Sequence, residues 1–157
     1  MSTVAMTEPI AVSSPRPRAR MAGAVYLLTF LSFYGLFKPV SRRLSLLAAV
    51  VSLAGVTVGV LAPFRLVPPG VNSLVFFGFY CLLIASLIFR STFLPRGLAA
   101  LMAFAGLGWL TFLLPSLASR LYPYVLAPGL VGEGALTLWL LVKGVDAERW
   151  NEQASGT

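Results

Sequence analysis

The chain has 157 residues, 58% of them hydrophobic and 11% charged, with a mean hydropathy of +0.87 and a net charge of +7. Soluble domains carry about a quarter charged residues, so water is not the main solvent here, and the length is that of one domain. There is no histidine and a single cysteine, Cys81, which excludes an intramolecular disulfide and removes the commonest metal ligand and general base together.

The first stretch, residues 1–20 (MSTVAMTEPIAVSSPRPRAR), is rich in Pro, Ser and Arg and has no apolar period. It reads as a disordered basic tail ending in Arg16, Arg18 and Arg20. A membrane domain over 21–145 follows, with five apolar segments at about 21–37, 44–64, 71–89, 95–114 and 124–143. The first is longer than a usual signal core and runs into KPVSRR instead of a small-residue cleavage pattern, so it reads as an uncleaved anchor. The second supplies about 31 Å of helix at 1.5 Å per residue, matching a hydrocarbon core of roughly 30 Å. Pro95 opens the fourth, where a missing N–H costs nothing. Residues 146–157 form a polar C-terminal tail.

None of the segments alternates polar and apolar as a barrel strand must, and lipid leaves helices as the other way to satisfy a backbone. The expected fold is therefore all-α, a transmembrane bundle of about five helices.

The twelve Lys and Arg fall in the gaps between apolar runs and form no basic stripe with interleaved aromatics. Nucleic acid is thus not an expected partner; the bilayer is. With five crossings, the side bearing Lys38, Arg42, Arg43, Arg90, Arg96, Lys143 and Arg149 holds seven cations. The other holds five: Arg16, Arg18, Arg20, Arg65 and Arg120. The positive-inside rule then places the C-terminus in the cytoplasm. If the first segment lies in the interface without crossing, the counts become ten and two.

Small residues mark close helix packing. Gly55 and Gly59 have GxxxG spacing, with Ser52 and Ala62 extending the stripe. They suit packing within the bundle or a face for a second copy or another membrane protein. Gly78, Cys81 and Ala85 form a similar stripe, and Gly106 and Gly108 lie in AGLGW, where no strand and no Lys-Ser/Thr supports a phosphate loop.

Between Pro9 and Asp146 the one acidic residue is Glu133, in LVGEGALTLWLLVKG. A charge near the bilayer centre costs about 2.5–3.5 kcal/mol on insertion scales, so it should face the bundle interior. Its neighbours at i−4 and i+4 are Gly129 and Thr137, a small and polar stripe. Asn72, Tyr80 and Arg65 are the candidate partners, making an intramembrane polar cluster in the outer half of the bundle. Two roles follow: a structural carboxylate fixing helix register, or a site for a small polar solute or a relayed proton. Trp109 and Trp139 read as buried or lipid-facing bulk, and Trp150, Tyr122 and Tyr124 as interfacial aromatics. No nucleophile–base pair is readable, and no enzymatic activity, cofactor or metal is expected.

Two strings carry a family resemblance. FFGFYCLLIASLIFRSTFLPRGLAALMAFAGLGWL (Phe76–Leu110) and PGLVGEGALTLWLLVKGV (Pro128–Val145) resemble the bacterial family of multi-pass membrane proteins called domain of unknown function 4386. RMAGAVYLLTF and KPVSRRLSLLAAV are similar to it as well, so the resemblance runs from about Arg20 to Val145. It implies a membrane bundle, with about six helices in typical members and extra sequence between the first span and the Lys-Pro-Val stretch, so this chain reads as a shortened member. It implies no activity.

Overall fold

The computed structural model describes residues 15–156, and the expected tail over 1–14 lies outside the described residues. Seven α-helices occur among the described residues: α1 (Pro15–Phe37), α2 (Arg42–Leu61), α3 (Ser73–Arg90), α4 (Arg96–Leu110), α5 (Pro115–Leu121), α6 (Leu126–Val142) and α7 (Ala147–Ser155). Short 3₁₀ turns extend α2 over Ala62–Phe64 and α4 over Thr111–Leu113.

Local chemistry sets most of the boundaries. Ser41 caps α2 by accepting from the Leu44 N–H at 3.4 Å, Asn72 caps α3 through Leu74 at 2.9 Å, and Asp146 caps α7 through Arg149 at 3.2 Å. At the end of α6, the N–H groups of Lys143 and Gly144 both reach the Trp139 carbonyl, at 2.8 and 3.1 Å. Gly144 has φ +66°, the left-handed conformation that ends helices and that glycine adopts without a Cβ penalty.

The structure adds detail to the expectations in three places. Residues 15–20, within the expected tail, are helical and open α1, where proline's fixed φ suits a first helical residue. Within the polar C-terminal stretch, Ala147–Ser155 is helical. Of the five expected spans, three stand among the described residues as single helices long and apolar enough to cross, and a fourth as a bent pair. Arg42–Phe64, Ser73–Arg90 and Arg96–Leu113 are each long and apolar enough to cross a membrane, whereas α5 and α6 qualify only as a pair bent by 80°. Pro123 explains the break, because its ring pushes Tyr122 out of the helical region to φ −68°, ψ +135°. In α1, Leu28–Phe37 is an apolar helical stretch.

The core is built by α3, α4 and α6 together with the α3–α4 loop, where Ile84, Leu87, Ile88, Phe93, Leu98 and Met102 are buried. The outside is equally apolar: Leu46, Leu47, Val50 and Leu53 on α2, Phe104 and Leu107 on α4, and Leu138 and Leu141 on α6 are exposed. An apolar shell of this extent around satisfied helical backbones is what hydrocarbon solvates.

The two ends of the bundle differ. At one end α7 folds back beneath the helices. Trp150 donates its indole N–H to the Leu36 carbonyl at 2.9 Å, and the Gln153 amide oxygen accepts from the Thr92 N–H and hydroxyl, both at 3.2 Å. This end carries Lys38, Arg42, Arg43, Arg90, Arg96, Lys143 and Arg149. The other end gathers the Ala62, Gly70–Ser73, Phe112 and Pro115–Tyr122 regions around one cleft, with Arg65 and Arg120 near it in the chain.

Candidate functional site

Three glycine contacts bring α4 against its neighbours. A Cβ on Gly106 would stand 2.9 Å from the Gly78 carbonyl of α3, and one on Gly108 would stand 2.8 Å from Cβ of Pro128 in α6. A Cβ on Gly132 would stand 2.7 Å from Cβ of Ala105. At such separations nothing larger than glycine fits without moving a backbone, so these residues fix how closely the three helices approach. Gly106 and Gly108 in AGLGW are therefore close-contact residues.

Into this frame the sequence places its lone intramembrane acid. Glu133 is the eighth of the 17 residues of α6, and it faces Cys81, the ninth of the 18 residues of α3. It lies at mid-depth, not in the outer half. Its Oε1 accepts the indole N–H of Trp109 at 2.7 Å, and the Cys81 thiol lies 4.0 Å from the same oxygen. The first is a short hydrogen bond and the second a weak contact. Trp109 is 8% exposed, and its ring lies directly across Gly129, where any Cβ would run into it. Gly129 precedes Glu133 by four residues, so one helical face supplies both the slot for the indole and the acceptor for its N–H. Phe77 and Phe112 complete the setting, with ring centroids 6.1 and 6.3 Å from Trp109.

The expected partners divide. Tyr80 adjoins Cys81 but makes no hydrogen bond to Glu133; it stacks on Phe77 at 5.7 Å and lines a small cavity with Tyr34 and Ser45. Asn72 is spent on the α3 cap, nine residues and about 13 Å of helix from Cys81. Arg65 is exposed in the loop after α2, in a left-handed conformation at φ 58°. These two are not part of the cluster because both are fixed where α3 starts or α2 ends, far from mid-depth. Thr137 is exposed, so the polar stripe stops at Glu133.

The residue missed in the sequence is Trp109, read there as bulk. The signal was present: an indole N–H buried in lipid needs an acceptor, and Glu133 is the one carboxylate between Pro9 and Asp146. Gly55 and Gly59 face α3, with added Cβ atoms 3.0 Å from Cβ of Phe76 and 3.6 Å from Ser73. That stripe is used inside the bundle. Trp150 is likewise tied into the fold through Leu36 and is not a free interfacial aromatic. Among the described residues, no three of His, Cys, Asp or Glu come together to hold a metal ion.

No curated protein and no solved structure matches the chain. One family model does, that of Domain of unknown function (DUF4386), over residues 71–144. The match takes in nearly all of both strings that carried the resemblance, with the three glycine-packed helices and the Trp109–Glu133 pair. It does not reach the RMAGAVYLLTF and KPVSRRLSLLAAV stretches. Over residues 71–144, just under half of the chain, the sequence is similar to the family described as Domain of unknown function (DUF4386).

Proposed function

We propose that this is a multi-pass protein of a bacterial inner membrane that acts through helix packing, as a structural or regulatory membrane component and not as an enzyme. Its working partner is then another membrane protein or a second copy. The observation that carries this reading is the 2.7 Å contact between Trp109 and Glu133 across Gly129. A carboxylate that accepts from a buried indole, in a slot only glycine leaves open, is placed to lock α4 and α6 in one register. The clefts of about 490 and 650 Å³ lie elsewhere, against α7 and along α3–α4. The cation distribution supports a cytoplasmic C-terminus, since the end bearing α7 holds the greater number.

The competing reading is a proton- or solute-coupled bundle centred on Glu133, favoured by the thiol beside it. Glu133→Gln separates the two. Glutamine keeps an oxygen for the indole N–H but cannot carry a proton through. Under the packing reading, purified Glu133→Gln protein keeps its melting temperature within a few degrees, and proton flux into proteoliposomes equals that of the wild type. A wild-type flux lost in a well-folded Glu133→Gln variant overturns it.

A further inference from the structure

Outside the Trp109–Glu133 pair, the feature with the most specific chemistry is a groove on the lipid-facing side of α3 and α4. Its volume is about 650 Å³. Ala85, Ala99 and Ala103 keep it open because their side chains are too short to fill the space between the helices. Leu82 closes its inner end, packed so tightly on α4 that a Cβ on Gly106 would come within 2.8 Å of it. Ser86 lies along the groove, but its hydroxyl already donates to the Leu82 carbonyl at 2.9 Å, so the wall presents no unmet polar group. Eight residues on, or about 12 Å of helix, the groove reaches its open end. There it is lined by two cations, Arg90 and Arg96.

Both arginines are exposed, and neither has a carboxylate partner: the ion pair among the described residues is Arg149–Asp146, at 3.3 Å. The Arg96 guanidinium is held over the Phe89 ring at 5.5 Å from its centroid, which fixes its place at the groove mouth. An apolar trough the length of part of an acyl chain, ending on two unpaired guanidinium groups at the cation-rich end of the bundle, has the complementarity of one kind of molecule. We propose that the α3–α4 groove holds an acidic phospholipid, one acyl chain lying over Ala85, Ala99 and Ala103 and the phosphate against Arg90 and Arg96. Guanidinium groups bind phosphate through paired N–H donors, and basic pockets between membrane helices take acidic headgroups by the same chemistry. The proposal is independent of the role given to Glu133.

The test is native mass spectrometry of the full chain from nanodiscs of equal parts phosphatidylglycerol and phosphatidylcholine. Wild-type protein should retain one phosphatidylglycerol in clear preference to phosphatidylcholine. Arg90→Gln with Arg96→Gln should reduce that preference at least tenfold, and Ala103→Leu, which fills the trough while keeping both charges, should lower retention of the bound lipid severalfold. Arg42→Gln with Arg43→Gln, which alters the same end by the same charge, should leave the preference unchanged. Inorganic phosphate at millimolar concentration should not displace the lipid. Equal losses from the two arginine pairs would overturn the proposal in favour of diffuse attraction, and displacement by phosphate would reduce the site to an anion pocket. A shift in oligomeric state in Ala103→Leu, with lipid retention unchanged, would assign the groove to a second copy and overturn it too.

Discussion

The trio α3–α4–α6 and the arm α1–α2 are both apolar, yet they are held by different means. In the trio, glycines let backbones approach to the limit of contact, and one indole–carboxylate bond crosses the interface at mid-depth. In the arm, side-chain hydrogen bonds to main-chain carbonyls near the end of α1 supply the specificity: Ser45 donates to Tyr34 at 3.1 Å, and Trp150 of α7 donates to Leu36. Hydrophobicity cannot distinguish one helix face from another in lipid, because the acyl chains are as apolar as leucine. Register must come from shape or from polar bonds, and this molecule uses shape plus one deep bond in the trio and end-bonds in the arm.

That contrast can be broken in graded steps. Gly132→Leu should cost most, above about 3 kcal/mol, because the side chain has only the Leu101 carbonyl and Ala105 to move against. Little folded protein should survive detergent extraction, read as monodisperse material on size-exclusion chromatography. Next comes the deep bond. A double-mutant cycle on Trp109→Phe and Glu133→Ala, measured by SDS-induced unfolding, should give a coupling of about 1–2 kcal/mol. A coupling near zero would mean the trio is held by shape alone. Trp150→Phe should cost about 1 kcal/mol and raise amide exchange in α7 more than in α4, since it removes a tie at the edge of the fold. The smallest effect separates the two glycines of the GxxxG stripe. Gly55→Ala should destabilise by up to about 1 kcal/mol against Phe76, whereas Gly59→Ala, with ordinary contact to Ser73, should be neutral or stabilising by about 0.5 kcal/mol.

Much of this architecture was readable from residue order. Long apolar runs bounded by cations located α2, α3 and α4 to within a few residues, because lipid leaves one backbone solution for such runs. The ends were less legible. Asp146 before an Ala-Glu-Arg run is a capping signal, but the polar composition of the last residues hid a helix whose support comes from elements far away in the chain. The break between α5 and α6 depends on Pro123 acting on Tyr122, and the gap between the apolar segments at 114 and 124 marked its place but not that a short helix fills it. At the site, Glu133 stood out by charge and Gly129 by spacing. Trp109 is 24 residues away, and its pairing depends on how far two helices slide past each other. Asn72 and Arg65 failed as partners for a related reason: sharing a loop level with the presumed outer half of α6 says nothing of depth.

The bend has a consequence for the membrane itself. With α5 turned aside, the apolar rod left in α6 is 17 residues, about 25 Å, against roughly 30 Å of hydrocarbon. Such a deficit draws the two leaflets together beside the short helix. The molecule should therefore sit most comfortably where acyl chains are short.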